Sequence, residues 1–411
     1  MRKKRIDLTP LLQRVKSKIN EHSLMQRFEE EIEALDLLEF LKVQADRWKF
    51  YWSSRNKDFE YAAYSKVSHY EGSSKRPFQS FPSYAFCSFD KKRALFVLPR
   101  FEITRKNKIY LFACHFRGSE KERVEEYFSE LVLDIPEKIE LSIPLSYRSQ
   151  LIPNIDAWRR RIDKAKQLFK EKQLEKIVLA RQALLKFDDS LNPYDLLRKL
   201  KFATPACFHF LFSRQKSCAF IGASPELLFE RRGSQIKSEA VAGTRPSGKQ
   251  YREELLTCPK ELKEHNYVVK HLRRSFHRIC QTWKGSADVS ILERKHWQHL
   301  YYEIEGVLRQ GYCDGQIFSI LHPTPAVATY PFDFSKLKEI EGFDRGLYAG
   351  ALGCRSRSCA EFAVAIRSAY VFPKSLLLFS GAGIVEESHF HAEWEEINLK
   401  ITNFLELFSQ T

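Results

Sequence analysis

Three stretches of the chain hold charged side chains in settings where charge can do chemistry. The run EKIVLARQALL, read as a strand, puts Lys176, Val178 and Ala180 on one face and Ile177, Leu179 and Arg181 on the other. A lysine among apolar neighbours gives up its proton more readily and becomes a usable base. The plain alternative is an edge charge. In FIGASPELLFERRG, Glu226 directly follows Pro225 at the mouth of a strand, where a lone carboxyl normally faces solvent and only in some cases carries function. Near the end, EWEEINLK sets Glu393, Glu396 and Lys400 at i, i+3 and i+7, hence on one helix face. Two carboxylates there, with a third from elsewhere, make a hard oxygen cage suited to Mg2+. The same face also fits a solvated surface carrying a Glu396–Lys400 pair.

Other segments offer supporting groups. ELKEHNYVVKHLRRSFHRI is a helix with Val268, Leu272, Phe276 and Ile279 inward and Glu264 on the edge of that stripe. Glu264 and His265 are no dyad, because adjacent helix residues diverge by about 100°. In CAEFAVAIRSAYV, alternation puts Glu361, Ala363, Ala365 and Arg367 on one face, and an arginine among alanines suits a two-pronged grip on a carboxylate. Small residues precede Thr244 in SEAVAGTRPSG, which admits a ligand close to the backbone or simply makes a turn. LHPTPAVATYP is a rigid loop, DRGLYAG a glycine-flanked turn carrying Tyr348, and Gly381-Ala382-Gly383 a further glycine turn. His389 and His391, two apart in a loop, do not make a zinc site.

The elements that must hold these groups follow from periodicity. Residues 8–48 read as two helices, 49–67 as paired strands, and 70–82 as a loop. A hairpin with its turn at 105–108 follows, then a loop over 143–154 and a long amphipathic helix through Trp158, Ile162 and Phe169. Strands are expected at 176–184, 206–213, 217–222, 226–231 and 235–241. Helices follow at 250–283 and 314–320, strands at 359–372 and 375–380, and a closing helix at 392–408. Runs of antiparallel strands mixed with helices indicate an α+β fold.

Composition excludes several classes. The 411 residues are 44% apolar and can bury a core without staples. Nine cysteines between Cys87 and Cys359 include no C-x-x-C pair, which suits buried thiols in a reducing cytosol. After the basic start MRKKRIDLTP, Gln13, Arg14, Lys16 and Lys18 interrupt any signal-like apolar run, and nothing approaches a membrane helix. The chain therefore reads as cytoplasmic, with no membrane partner. The net charge of +15 is spread along the chain and interleaved with acids, as in EEEIEALDLLEF, so no nucleic-acid partner is expected.

Taken in order, KIVLAR, GASPELLFERRG, AVAGTRP, KEHNYVV, HLYYEIEGVL, LHPTPAV, FDRGLYAGALG, EFAVAIRSA and GAGIV…EWEEINLK resemble the chorismate-binding enzymes, a family including anthranilate, aminodeoxychorismate, isochorismate and salicylate synthases. The matches span about residues 150–411. FYWSSRN and the FVLPRFE hairpin extend the resemblance, more weakly, toward menaquinone-type isochorismate synthases. The resemblance implies an anthranilate synthase component I-like fold, antiparallel sheets packed as a sandwich with helices outside. Residues 1–150 would be its N-terminal part and 151–411 the catalytic region of one integrated domain. It implies Lys176 as the base activating water at C2 of chorismate, and Glu226 as the acid protonating the departing 4-hydroxyl. Glu264 and Glu396 would be magnesium ligands, with Glu393 a nearby third. Arg367 and Tyr348 would hold the enolpyruvyl carboxylate, helped by Gly381 and Lys400, with Thr244 and His299 lining the pocket. Anthranilate synthases carry glutamine at the position of Lys176, and aminodeoxychorismate synthases a lysine at that of Ala242. Both differences favour water as nucleophile, with no amidotransferase partner. The expected activity is thus isochorismate synthesis, with menaquinone as the downstream use; the alternatives are a salicylate synthase or a non-catalytic chorismate-binding paralogue. The chain departs from the family pattern at Ala328-Thr329-Tyr330, at Tyr301-Tyr302 and at Ser388–His391.

Overall fold

The computed structural model describes residues 2–71, 81–91, 94–215, 218–293 and 297–409. Among these, all strand pairings are antiparallel. One limb of sheet passes, in order of pairing, through Lys176–Lys186, Ser375–Ile384, Ser368–Phe372, Cys218–Ser224, Phe208–Gln215, Lys49–Ser53 and Phe59–Glu71. The long strand Ala94–Lys106 hands the network to a second limb: Ser83–Cys87, Ala351–Arg355, Cys359–Val364, Leu227–Arg232, Gln235–Pro246 and Trp297–Leu308. Among the described residues no pairing joins the two far ends. The sheet is folded over on itself rather than closed into a ring.

Alternation along the strands explains the layering. Inward residues Phe50, Trp52, Phe208 and Phe210 of the first limb meet Phe86, Leu227, Leu352 and Ala363 of the second in an aromatic core. Helices Thr9–Lys18, Leu37–Val43 and Pro193–Ala203 cover the outside of the first limb. A third core draws the far ends together. It packs Ile177, Leu179 and Ala382 with Ala240, Ala242 and Tyr302 beneath helices Ile155–Lys170 and Pro259–Ile279. That junction is where the charged side chains of interest converge. Residues before 150 contribute inner strands to the same sheet, since Lys49–Ser53 pairs with Phe208–Gln215.

Several expectations needed correction. The second N-terminal helix is only Leu37–Val43, and Gln26–Ile32 is a strand at the edge beside Ile109–Phe116. Glu29 and Glu31 are exposed on this strand, so charge that resembled a helix face belongs to an edge strand. The loop at 143–154 contains the strand Arg148–Ile152. The helix expected at 250–283 breaks at Pro259, which cannot donate to the preceding turn, and ends at Ile279. The closing helix is three short pieces, Phe390–Leu399, Thr402–Leu405 and a 3-10 turn to Phe408. The loop expected at 70–82 falls mostly outside the described residues. All nine cysteines are free thiols. No helix of the described residues is long and apolar enough to cross a membrane.

Candidate active site

Lys176 begins the strand Lys176–Lys186 and is fully buried. Its Nζ lies 3.1 Å from Glu264 Oε1, on helix Pro259–Ile279. Burial pulls the lysine below its ordinary pKa, although Glu264 opposes the shift. Glu226 stands immediately before the strand Leu227–Arg232, with its backbone N–H donating to Ser224 Oγ at 3.2 Å. Burial pushes its carboxyl up to about 8; Lys176 and Lys400 act against that shift and Glu239 adds to it. The two groups thus resemble the pair that acid–base catalysis needs near neutral pH, one shifted down and one shifted up. Arg181, on the other face of its strand, donates to Asn398 Oδ1 at 2.7 Å and lies over the Trp394 ring, a structural role.

Charge is far denser on the helical side. The Lys260 ammonium sits 2.9 Å from Glu393 Oε1, 3.2 Å from Glu261 Oε1, 3.9 Å from Glu264 Oε2 and 4.0 Å from Glu396 Oε2. Burial alone would lower this lysine, but Glu396 and Glu393 lead a set of carboxylates that hold it well above its usual value. Burial raises Glu393, whereas at Glu396 the cations Lys400 and Lys260 overcome burial and keep the carboxylate ionised. Glu396 also pairs with Lys400, and Arg245 reaches Glu261 Oε1 at 2.9 Å. The expected metal ligands are therefore brought together, around an ammonium. No three such groups among the described residues form a preformed metal site. The donor set is nonetheless all carboxylate oxygen gathered on a cation, and in chemistry it fits magnesium.

The remaining candidates line one pocket between these groups. Thr244, His299, Tyr348, Arg367, Gly381 and Lys400 all face it, together with Glu226, Glu264 and Glu396. Thr244 and His299 are register partners, and His299 Nδ1 lies 3.1 Å from both Thr244 Oγ1 and the Gly243 carbonyl oxygen. Gly243 has φ 70° within a bulge, a conformation that turns Thr244 toward the pocket and that glycine adopts without strain. A side chain at Gly383 would collide with the Glu264 carboxylate, and a Cβ at Gly381 would come 2.9 Å from the Tyr348 hydroxyl. The glycines expected to form a turn are instead strand residues that let both groups approach. Lys400 Nζ donates to the Gly381 carbonyl at 2.8 Å, and Arg367 Nη1 to the Lys400 carbonyl at 3.1 Å. Arg367 does not continue the face of Glu361. The strand ends at Val364, Arg367 has φ 50°, and Glu361 instead accepts from Trp52 and Ser54.

Lys260 and Glu261 were not singled out from the sequence. The signal was present in the spacing, since Lys260 lies one helical turn before Glu264.

The chain is similar to known proteins over nearly its whole length. The sequence profile of the family described as chorismate binding enzyme matches residues 83–409. Isochorismate synthase MenF of Haemophilus influenzae is 31% identical over 396 residues, covering 93% of this chain and 92% of that one. Among solved structures, MenF of Escherichia coli, described as a menaquinone-specific isochorismate synthase, superposes with a TM-score of 0.88 at 26% identity, covering 98% and 99% of the two chains. Anthranilate synthase component I from Streptococcus pneumoniae shares the fold, with a TM-score of 0.70 at 18% identity over 85% and 92%. With the profile covering most of its length and a relative aligned nearly end to end, this chain belongs to the chorismate-binding enzyme family.

Proposed function

We propose that this protein is a magnesium-dependent isochorismate synthase, converting chorismate to isochorismate. The observation that carries the reading is the pair Lys176 and Glu226, both buried and shifted in opposite directions, Glu226 lining the pocket and Lys176 lying 3.1 Å behind Glu264, which also lines it. Lys176 takes a proton from water as its oxygen bonds to C2 of the ring. The ring double bond shifts, and the C4–O bond breaks as Glu226 gives its proton to the leaving hydroxyl, which departs as water. Substrate and product are isomers, and a proton returned from Lys176 to Glu226 restores the starting state.

Chorismate is a dianion, so its binding needs cations at two places. In this reading Arg367, Tyr348 and Lys400 hold the enolpyruvyl carboxylate, with Gly381, Thr244 and His299 shaping the wall. Glu264 and Glu396, with Glu393 nearby, would hold magnesium, which supplies positive charge for the ring carboxylate. Burial of Lys176 and Glu226 keeps bulk water from levelling their proton affinities. Residues 1–150 and 151–411 act as one domain in this reading, supported by the strand pairing of Lys49–Ser53 with Phe208–Gln215. The Escherichia coli structure described as a menaquinone-specific isochorismate synthase supports a place in menaquinone biosynthesis; a cytoplasmic location and no amidotransferase subunit belong to the same reading. Chorismate turnover followed by chromatography tests the proposal. Isochorismate is the expected product, whereas salicylate with pyruvate would move the chain to the other lysine-bearing branch.

A further inference from the structure

The N-terminal string FYWSSRN lies outside the pocket but reaches toward the acid. Arg55 follows the strand Lys49–Ser53 and points its guanidinium across the sheet interface. Its Nη1 donates to the Pro225 carbonyl at 3.2 Å, the residue directly before Glu226. The same guanidinium grips Glu239 with both prongs, at 2.8 and 2.6 Å. Glu239 is fully buried on the strand Gln235–Pro246, two residues before Val241, which lines the pocket on the same strand face. Tyr301, one of the atypical residues, sets its hydroxyl on the neighbouring strand between two carboxylates, 2.7 Å from Glu303 Oε2 and 3.1 Å from Glu239 Oε1. Trp52 and Ser54 anchor the segment by donating to Glu361 Oε2 at 2.7 and 2.6 Å, and the Arg55 guanidinium lies over the Phe208 ring.

We infer that Arg55, Glu239 and Tyr301 form a positioning network behind Glu226: Arg55 fixes the backbone that carries the acid and holds the Glu239 carboxylate in place beside it. The inference rests on the acid role proposed for Glu226. A buried Glu239 without its guanidinium would be costly, so the pair is stable only as a unit, and Arg55 ties that unit to the Pro225 carbonyl. Other groups also face Glu226: Lys176 from its strand, Lys400 from the end of helix Phe390–Leu399, and Tyr348 from its turn. Glu239 is the carboxylate whose charge acts to raise Glu226, while Glu264 and Glu396 line the same pocket. Glu239 opposes the two lysines, and so favours the protonated acid that the reaction consumes.

The test uses the full-length protein and a readout independent of turnover. Infrared difference spectra across pH follow the carboxylic acid band of Glu226, assigned by its loss in Glu226→Gln. Glu239→Gln removes the charge but keeps the shape, and should move the band's midpoint down by about half to one pH unit. A midpoint unchanged from the parent overturns the inference. Arg55→Lys keeps the charge and loses the two-pronged grip. It should lower kcat several-fold while KM and melting temperature stay near the parent's. An unchanged kcat overturns the positioning of the Pro225 segment. If the parent makes no isochorismate, the functional proposal fails, while the infrared midpoint still decides the network.

Discussion

The two ends of the pocket are built on opposite principles. At the strand end, Lys176 has the Glu264 carboxylate 3.1 Å away, yet for both Lys176 and Glu226 burial outweighs the charges around them. At the helix end, Glu261, Glu264, Glu393 and Glu396 crowd around Lys260, with Arg245 and Lys400 close behind. Here charges balance one another, and the lysine stays firmly protonated despite its burial. The same residue type is thus shifted down in one place, as the proposed base must be, and held up as a cation in the other, according to how many carboxylates surround it. In the proposed reading, sparse charge serves proton transfer and dense charge serves the binding of magnesium.

Substitutions at the two ends should therefore fail differently. Lys176→Ala should reduce kcat by about a thousandfold or more with little change in KM, because it removes the base and leaves the anion-binding groups. Steady-state kinetics check this, and a change confined to KM would break the contrast. Glu226→Gln should cost roughly a hundredfold or more in kcat. The parent enzyme's kcat should also fall as pH rises through about 8, since the acid must carry its proton and burial holds it up to that value. A pH–rate profile flat to pH 9 would contradict that role. Glu396→Gln should act on metal affinity, weakening magnesium binding by about tenfold or more in calorimetry. Lys260→Met should shift the same quantity the other way by up to about tenfold, because a cation no longer competes for the carboxylates. Magnesium binding unaltered by Lys260→Met would show that the ammonium and the metal do not share these carboxylates.

Much of the strand end was legible in the sequence. Alternation in EKIVLARQALL places Lys176 correctly, and Pro225 before Glu226 marks the start of the strand that follows. The small residues before Thr244 were legible, although the bulge at Gly243 that aims Thr244 at the pocket was not. The helix end was harder to read. EWEEINLK yields the shared face of Glu396 and Lys400, but the meeting of two helices around Lys260 depends on the folding-over of the sheet, and no local pattern encodes that. Arg367 shows the other limit. Its alternation with Glu361 was a fair reading of period two, yet a left-handed residue at 367 ends the pattern without a glycine to announce it. Arg55 was visible only as part of a string, because its partners Pro225 and Glu239 lie far along the chain.

The most direct test of the central claim is to incubate purified protein with chorismate, with and without magnesium, and to resolve the products by chromatography beside Lys176→Ala. The account predicts isochorismate, formed only when both magnesium and Lys176 are present. Isochorismate formed equally well by Lys176→Ala, or no turnover of bound chorismate by the magnesium-loaded parent, would contradict it.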